Sequence, residues 1–282
     1  MKKINLSGEM LVFLGVLFWS LNSPLIKFLE VDALLTCGTR SLIAGLFLLP
    51  FLKPKKLNWS PWMIVYLASF TTLCISIVYA LRMTSSAIAI GMQYASIVWL
   101  FLTNIILTKK AEKGKLLPVI VISVGVILFM LSGLEGSSMT GNLIAFTEGI
   151  TFAVMTVAVK KTAGENPLGL TAIANLFTGI FVFLVLPPSL GDLTALTGLE
   201  TFLMLVLGVV QVGLGYAFYN MGVNKTTPQK AAVLAPWEMI LGLIWVAIFL
   251  GEYPTLLVTI GAIVIVIGIL LDAKGEPNER KA

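Results

Sequence analysis

Three ionisable residues lie within long apolar stretches of the sequence, where charged side chains are unusual. Glu148 and Glu238 are eight to nine residues from the start of their stretches, and Arg40 is closer to one end of its own. Each such group costs roughly 2.5–3.5 kcal/mol to insert into a bilayer, so each is a functional candidate. Because a low dielectric favours the neutral carboxyl form, either glutamate can exchange a proton or bind a cationic solute near neutral pH. The alternative is a permanent ion pair with Arg40, whose shallow position favours a structural role.

Aromatic and amide side chains form a second group of candidates. An aromatic face attracts an ammonium group by roughly 2 kcal/mol or more in a dry site, and phenol and amide groups supply hydrogen bonds. Packing between helices is the alternative role for these side chains. We predict a pocket lining of four aromatic residues and two amide contacts to a substrate: Trp19, Tyr79, Tyr219, Trp237, Asn22 and Gln211.

The chain lacks the groups on which most enzymes and metal sites depend. It has 282 residues, no histidine and two cysteines. Cys37 and Cys74 have no metal-binding spacing, and the sequence contains no phosphate-binding loop. No serine or cysteine nucleophile has a candidate base. We therefore expect neither a cofactor nor a metal ion, and we do not expect an enzyme.

The composition indicates which elements position these residues. The chain is 58% hydrophobic and 12% charged, with a mean hydropathy of +0.98, whereas soluble domains are roughly 25% charged. A helix that crosses a bilayer needs about 20 apolar residues and must satisfy its own backbone. We predict an all-α membrane protein with ten transmembrane helices, at approximately 9–29, 34–52, 60–81, 84–107, 116–133, 140–160, 167–187, 199–221, 229–250 and 254–272.

The second five stretches repeat the first five. Similar residues recur at an offset of 133 near the start of each half and at an offset of 140 further along. The matching pairs include Trp19 with Phe152, Lys27 with Lys160, Tyr79 with Tyr219, Ala95 with Ala235, and Glu112 with Glu252. Because five is an odd number, the second copy must enter the membrane from the opposite side. The sequence therefore predicts two inverted five-helix repeats.

The predicted halves comprise residues 1–133 and 140–272, followed by a cytoplasmic tail at 273–282. They join near the Gly/Ser-rich segment 132–139. An inverted repeat with polar groups at mid-depth is typical of secondary transporters, whose substrate path follows the seam between the halves. Ten helices with this internal pseudo-dimer are consistent with a monomer.

The net charge of +5 reflects membrane topology rather than nucleic-acid binding. With the N-terminus inside, 16 of the 19 lysines and arginines fall on the cytoplasmic side, and the exceptions are Lys27, Arg40 and Arg82. This asymmetry follows the positive-inside rule. We expect a multi-pass protein of the cell membrane with both termini in the cytoplasm, and no nucleic-acid partner.

Several segments together resemble EamA-type transporters of the drug/metabolite transporter superfamily. They are GVLFWSLNSPLIK with Trp19 and Lys27, TRSLIAGL with Arg40, and LAPWEMILGLIWVAIFLGE with Pro236. The resemblance covers essentially the whole chain and implies transport of metabolites such as amino acids, amines, nucleosides, sugars or drugs. The chain departs from the family at Ser96, where a proline is common, so the fourth span is expected to be straighter than the ninth.

The chain also looks like a duplicated relative of the small multidrug resistance transporters. The coupling glutamate of those proteins aligns with Trp19 and Phe152, neither of which is acidic. Glu148 lies one helical turn before Phe152 on the same face, so it matches that carboxylate only approximately.

Together these features predict a secondary active transporter that works by alternating access. Two acids, one base and several aromatic rings suit a small amine-bearing organic solute, either an amino acid or an organic cation. Proton-coupled export is favoured by the resemblance. The alternative is an uncoupled facilitator or channel for small metabolites.

Overall fold

The computed structural model describes residues 6–110, 112–133, 138–189, 191 and 194–275. Within this part of the chain, ten helices are long and apolar enough to cross a membrane, and no strand is present. This confirms the predicted all-α fold with ten membrane helices. Residues 134–137 of the predicted junction and 276–282 of the predicted tail lie outside the described residues.

We number the membrane helices α1 to α10 in chain order. Six are continuous: α2 (Ala33–Leu48, extended by a 3-10 turn at Leu49–Phe51), α3 (Trp62–Met83), α5 (Lys113–Ser132), α6 (Met139–Thr162), α7 (Pro167–Val185) and α10 (Leu256–Gly275). Four are interrupted: α1 (Gly8–Ser20 and Asn22–Lys27), α4 (Ser86–Met92 and Ala95–Thr108), α8 (Gly198–Leu205, a π-helical segment Val206–Leu214, and Gly215–Val223) and α9 (Pro228–Leu234 and Trp237–Leu250).

Prolines explain two of the interruptions. A proline ring clashes with the carbonyl four residues earlier and has no N–H to donate. Pro24 therefore ends the first segment of α1 at Ser20, four residues before it. In α9 the break lies at Ala235 and Pro236, and Pro236 caps the second segment. Both breaks leave backbone groups near mid-membrane that need other partners.

The expectation of a straighter α4 was wrong. This helix is interrupted at Gln93 and Tyr94 although it contains no proline, and the amide of Tyr94 bonds the carbonyl of Gly91 in a tighter 3-10 turn. Gly91 has low helix propensity and packs directly on the Phe129 ring of α5, where a Cβ atom would have no room. Tertiary packing at a glycine therefore produces here the break that a proline produces in α9.

Helix packing shows the inverted repeat directly. The α1 helix packs against α8 and α9, and its equivalent α6 packs against α3 and α4, which are the equivalents of α8 and α9. The α2–α7 and α5–α10 pairs each join a helix to its own equivalent. Each contact between the halves is thus repeated when the two halves are exchanged, as a pseudo-two-fold axis requires.

Glycines allow α5 and α10 to approach closely. A Cβ atom on Gly261 would lie 3.1 Å from the carbonyl oxygen of Gly125 and 2.9 Å from the Phe129 ring, and Gly268 fits equally closely against Ile122. Small residues at such positions let membrane helices pack by van der Waals contact without a hydrophobic driving force.

We predict that Gly261→Val destabilises the protein because the new side chain meets backbone atoms of α5. Overpacking of this kind costs about 1–3 kcal/mol, which should lower the thermal unfolding midpoint in detergent by several degrees, measured by tryptophan fluorescence. Gly114→Val in α5 is the matched control, because a Cβ atom there meets nothing within 4 Å. Equal midpoints for both variants would contradict the close packing.

Candidate functional site

Arg40 connects the break in α1 to two other helices. It is 4% exposed on α2. Its Nη1 donates to Oδ1 of Asn22 at 2.9 Å, and its Nη2 donates to the carbonyl oxygen of Cys74 on α3 at 3.3 Å. Asn22 is the first residue after the break in α1. The structure therefore brings Arg40 and Asn22 together and uses both to hold the broken helix.

Two tyrosine rings contact the ring of Trp19 just before this break. The Trp19 ring centroid is 4.9 Å from that of Tyr216 and 4.6 Å from that of Tyr219, both on α8. Trp19 fits against Gly215, where a Cβ atom would lie 2.6 Å from its Nε1. A glycine at position 215 is thus required for the indole to approach α8 this closely.

Glu238 lies beside these rings in the first turn of the second segment of α9. Its side chain is partly exposed and lies near Tyr94, Tyr216 and Tyr219. The hydroxyl of Tyr94 on α4 donates to the carbonyl oxygen of Ala235, at the break in α9, at 3.4 Å. We call Trp19, Tyr94, Tyr216 and Tyr219 the aromatic cluster; its rings come from α1, α4 and α8.

Two buried polar atoms near the cluster have no hydrogen-bond partner among the described residues. One is the donor Nε1 of Trp19, and the other is the acceptor Oε1 of Gln211. Gln211 lies in the π-helical segment of α8 and is 6% exposed. Buried polar groups are normally paired, and π-helical segments occur frequently at functional sites. An unpaired donor and an unpaired acceptor are therefore available to a bound molecule.

Glu148 occupies a different environment, midway along α6. It is fully buried, and neither carboxylate oxygen accepts a hydrogen bond from any described residue. It interacts electrostatically with Arg40, but no ion pair within 4.0 Å joins them in the described part of the chain. The permanent ion pair considered from the sequence is thus absent here, because Arg40 donates to Asn22 and Cys74 instead.

Two predicted pocket residues lie away from the cluster. Tyr79 is near the C-terminal end of α3, close to Asp32 and Arg82. Trp237 is 42% exposed, and its ring meets that of Phe13 edge-on at 6.1 Å. Both pocket roles remain predictions, and neither side chain joins the other predicted residues.

Sequence analysis did not single out Tyr94 and Tyr216. Both are aromatic residues within spans, but the repeat places them opposite Leu234 and Ser76, so no matching pair drew attention to them. These two residues come close to Trp19 and Glu238 only because α4 and α8 pack together in the folded protein. The signal available in the sequence was their polar hydroxyl within an apolar span.

Comparison with known proteins agrees with this architecture. A model of the EamA-like transporter family matches residues 6–131 and again residues 139–272. A solved structure described only as "Crystal structure of protein" is similar in fold, with a TM-score of 0.66 and 16% identity, over 94% of this chain and 96% of that chain. No curated protein matches the sequence at a significant level.

The family match, together with ten membrane helices among the described residues, identifies a membrane transporter of the drug/metabolite transporter superfamily. The chain belongs to the EamA-like transporter family, which confirms the resemblance found in the sequence. Members of this family are transporters rather than enzymes. The protein is therefore a multi-pass membrane protein with the lipid bilayer and a small solute as its partners.

We predict that Arg40→Met destabilises the protein. The substitution leaves Asn22 Oδ1 and the Cys74 carbonyl without their donor, and each buried unpaired group costs about 1–3 kcal/mol. The thermal midpoint in detergent should fall by several degrees, and Arg40→Lys should recover only part of it, because lysine lacks the planar fork. Lys110→Met, at an exposed position, is the control. An unchanged midpoint for Arg40→Met would show that its bonds are not structural.

Proposed function

We propose that this protein is a secondary active transporter of a small amine-bearing organic solute, either an amino acid or an organic cation. It exports the solute across the cell membrane by alternating access in exchange for protons. One observation carries the proposal. Glu238, whose side chain is partly exposed, follows the Ala235 carbonyl to which Tyr94 of the aromatic cluster donates, where helices of both halves meet.

The chemistry of this site suits an ammonium group. A carboxylate attracts the positive charge, and aromatic faces stabilise it further by roughly 2 kcal/mol or more in a dry site. The free Oε1 of Gln211 can accept an N–H of the solute, and the free Nε1 of Trp19 can donate to a carboxylate or hydroxyl. An anionic solute gains nothing from Glu238, so the site discriminates by charge.

We assign binding and release of the coupling proton to Glu148. Ionising a carboxyl group that is fully buried and unpaired is expensive, so in this conformation Glu148 holds a proton. When the protein changes conformation and water reaches α6, the proton leaves. We assign solute binding to Glu238. Its side chain is partly exposed, so a ligand can reach it without prior separation of the helices.

A physical route connects the two carboxyl groups. Arg40 lies near Glu148 and Tyr216 and donates to Asn22. When Glu148 loses its proton, the new negative charge attracts the guanidinium and weakens its bond to Asn22. Asn22 follows the break in α1 and lies three residues from Trp19. The loss of the proton from Glu148 thereby affects the aromatic cluster through Arg40 and Asn22.

The proposal also covers orientation and assembly. The lysines and arginines favour a cell-membrane protein with both termini in the cytoplasm. Residues 1–133 and 140–272 act as the two halves that move against each other, within one monomer. An inverted repeat of this kind supports alternating access because exchanging the conformations of the halves reverses the open side.

We predict that Glu148→Gln abolishes proton-driven accumulation but retains solute exchange, because the amide cannot release a proton. Glu238→Gln should weaken binding of the cationic solute itself. The measurement is uptake of labelled amino acids and organic cations into proteoliposomes under an imposed pH gradient. Glu165→Gln is the matched control, since that carboxylate is 77% exposed and lies in a loop.

The uncoupled alternative gives a different result. A facilitator would equilibrate the solute without accumulation, and neither Glu148→Gln nor Glu238→Gln would change its rate. That outcome would overturn proton coupling and leave both glutamates with structural roles only.

We predict that Trp19→Leu raises the KM for an organic cation by about tenfold or more, whereas Trp19→Phe has a smaller effect. Both variants lose the indole Nε1, but phenylalanine retains an aromatic face for the cation. The measurement is concentration-dependent uptake in proteoliposomes. Trp62→Leu is the control because that ring is 41% exposed, far along the chain from the site. A similar KM in Trp19→Leu and Trp62→Leu would remove Trp19 from the binding site.

A further inference from the structure

The segment between α2 and α3 is folded tightly against the protein. We call residues 49–61 the connector; they form the two 3-10 turns Leu49–Phe51 and Pro54–Lys56. Three prolines restrict the backbone of the connector. Leu57 is 7% exposed and packs in a hydrophobic cluster with Met63 of α3. The connector therefore presents one defined surface to its surroundings.

The connector also bonds the second half of the molecule. The backbone N–H of Asn58 donates to the carbonyl oxygen of Thr162 at 3.0 Å, and its Nδ2 donates to the carbonyl oxygen of Lys161 at 2.8 Å. The backbone N–H of Glu165 donates to the carbonyl oxygen of Lys56 at 3.1 Å. The turn between α6 and α7 thus lies beside the connector, and the two halves share one surface.

Three lysines on this surface carry a charge that no described residue neutralises. They are exposed, and none forms an ion pair within 4.0 Å in the described part of the chain: Lys53, Lys55 and Lys161. Lys56, by contrast, is paired with Glu165 at 2.9 Å. The sequence has no acidic residue between Asp32 and Glu112, so the connector supplies no counter-charge of its own. This surface therefore attracts an anionic partner.

Large apolar side chains lie next to these lysines and are open to the surroundings. Phe51 and Trp62 are exposed, Trp59 is 60% exposed, and Ile64 in the first turn of α3 is 72% exposed. The Trp59 indole is held in place because its Nε1 donates to the carbonyl oxygen of Pro54 at 2.9 Å. Exposed apolar patches rimmed by polar groups mark protein or membrane interaction sites, and tryptophan is enriched where a membrane meets water.

The position of the apolar side chains indicates the kind of partner. Ile64 is exposed on a helix that crosses the membrane, so lipid chains contact it, and the apolar surface continues from there to Trp59 on the connector. A soluble acidic protein or a nucleic acid would match the lysines but would leave this apolar surface uncovered. A phospholipid supplies an anionic group for the lysines and acyl chains for the apolar side chains in one molecule.

We propose that the connector, together with Lys161, binds an anionic phospholipid of the leaflet that it faces. Lys53, Lys55 and Lys161 contact the anionic headgroup, while Phe51 and Trp59 contact the adjoining apolar part of the lipid. The connector belongs to the first half and Lys161 to the second, so one bound lipid stabilises the contact between the halves. This inference depends neither on the identity of the solute nor on proton coupling.

The test measures how single lipids stabilise the full-length protein. The protein in a neutral detergent receives phosphatidylglycerol or phosphatidylcholine with the same acyl chains, and tryptophan fluorescence gives the thermal unfolding midpoint. A ligand that binds the folded protein raises this midpoint. Phosphatidylglycerol should raise it by several degrees and phosphatidylcholine should not. Native mass spectrometry of the same samples gives the dissociation constant of the bound lipid.

Lys53→Gln combined with Lys55→Gln should weaken phosphatidylglycerol binding by about tenfold, because two charges near the headgroup are removed. The midpoint without lipid should stay unchanged, since both side chains are exposed. Lys53→Arg combined with Lys55→Arg should retain binding because both charges remain. The matched control is Lys109→Gln combined with Lys110→Gln, which removes two charges from the exposed end of α4 on the same side of the membrane and should leave binding unchanged.

Three results would overturn the proposal. The first is a midpoint that does not rise with phosphatidylglycerol, or that rises equally with phosphatidylcholine. The second is equal weakening in the connector variant and in the α4 control, which would show a general effect of net charge. The third is a rise of the same size with glycerol 3-phosphate, which carries the anionic group without acyl chains and should have no effect. Transport is not measured, so this proposal and the proposed function fail separately.

Discussion

The structure depends on one constraint, which is that a polar group inside a bilayer must find its partner within the protein. Breaks in α1, α4 and α9 release backbone groups at mid-depth, and the described contacts supply partners for them. Arg40 holds the segment that follows the break in α1 by donating to Asn22. Tyr94, at the break in α4, donates to the carbonyl of Ala235 at the break in α9. The breaks therefore converge where the halves meet, and the polar interior of the molecule is concentrated there.

Some buried polar atoms have no such partner, and several of them belong to the residues proposed to bind the solute or the proton. Trp19 Nε1, Gln211 Oε1 and both oxygens of Glu148 are buried without a partner among the described residues. Arg40, by contrast, is buried and bonded. A buried group that stays unpaired reduces stability, and such costs are typical of positions that serve binding or proton exchange rather than folding. Arg40 is thus held by the fold, whereas Glu148 remains the residue to which we assign the proton.

The scaffold is nearly symmetric, whereas its polar side chains are not. At the sequence offsets of the repeat, Glu148 stands opposite Gly15 and Tyr216 opposite Ser76. The matching breaks of α4 and α9 place Glu238 opposite Ser96. Gly15 allows α1 to pack directly on the backbone of α8, and the aromatic cluster forms beside that contact. The equivalent position in α6 holds a carboxyl group instead. The two copies therefore share one architecture, while divergence placed Trp19 in α1 and the buried Glu148 in its equivalent α6.

Apolar length and repeat offset are properties of the linear chain, so the membrane helices, the inverted repeat and the family could be predicted from the sequence. The residue types also identified Trp19, Tyr219, Gln211 and the two glutamates as candidates. Which side chains meet depends on the packing of the helices: Arg40 bonds Asn22 rather than Glu148, while Tyr79 and Trp237 lie apart from the cluster. The rotation of each helix about its axis sets these contacts. That rotation depends on breaks such as Gln93–Tyr94, which arise from packing against another helix and leave no proline in the sequence.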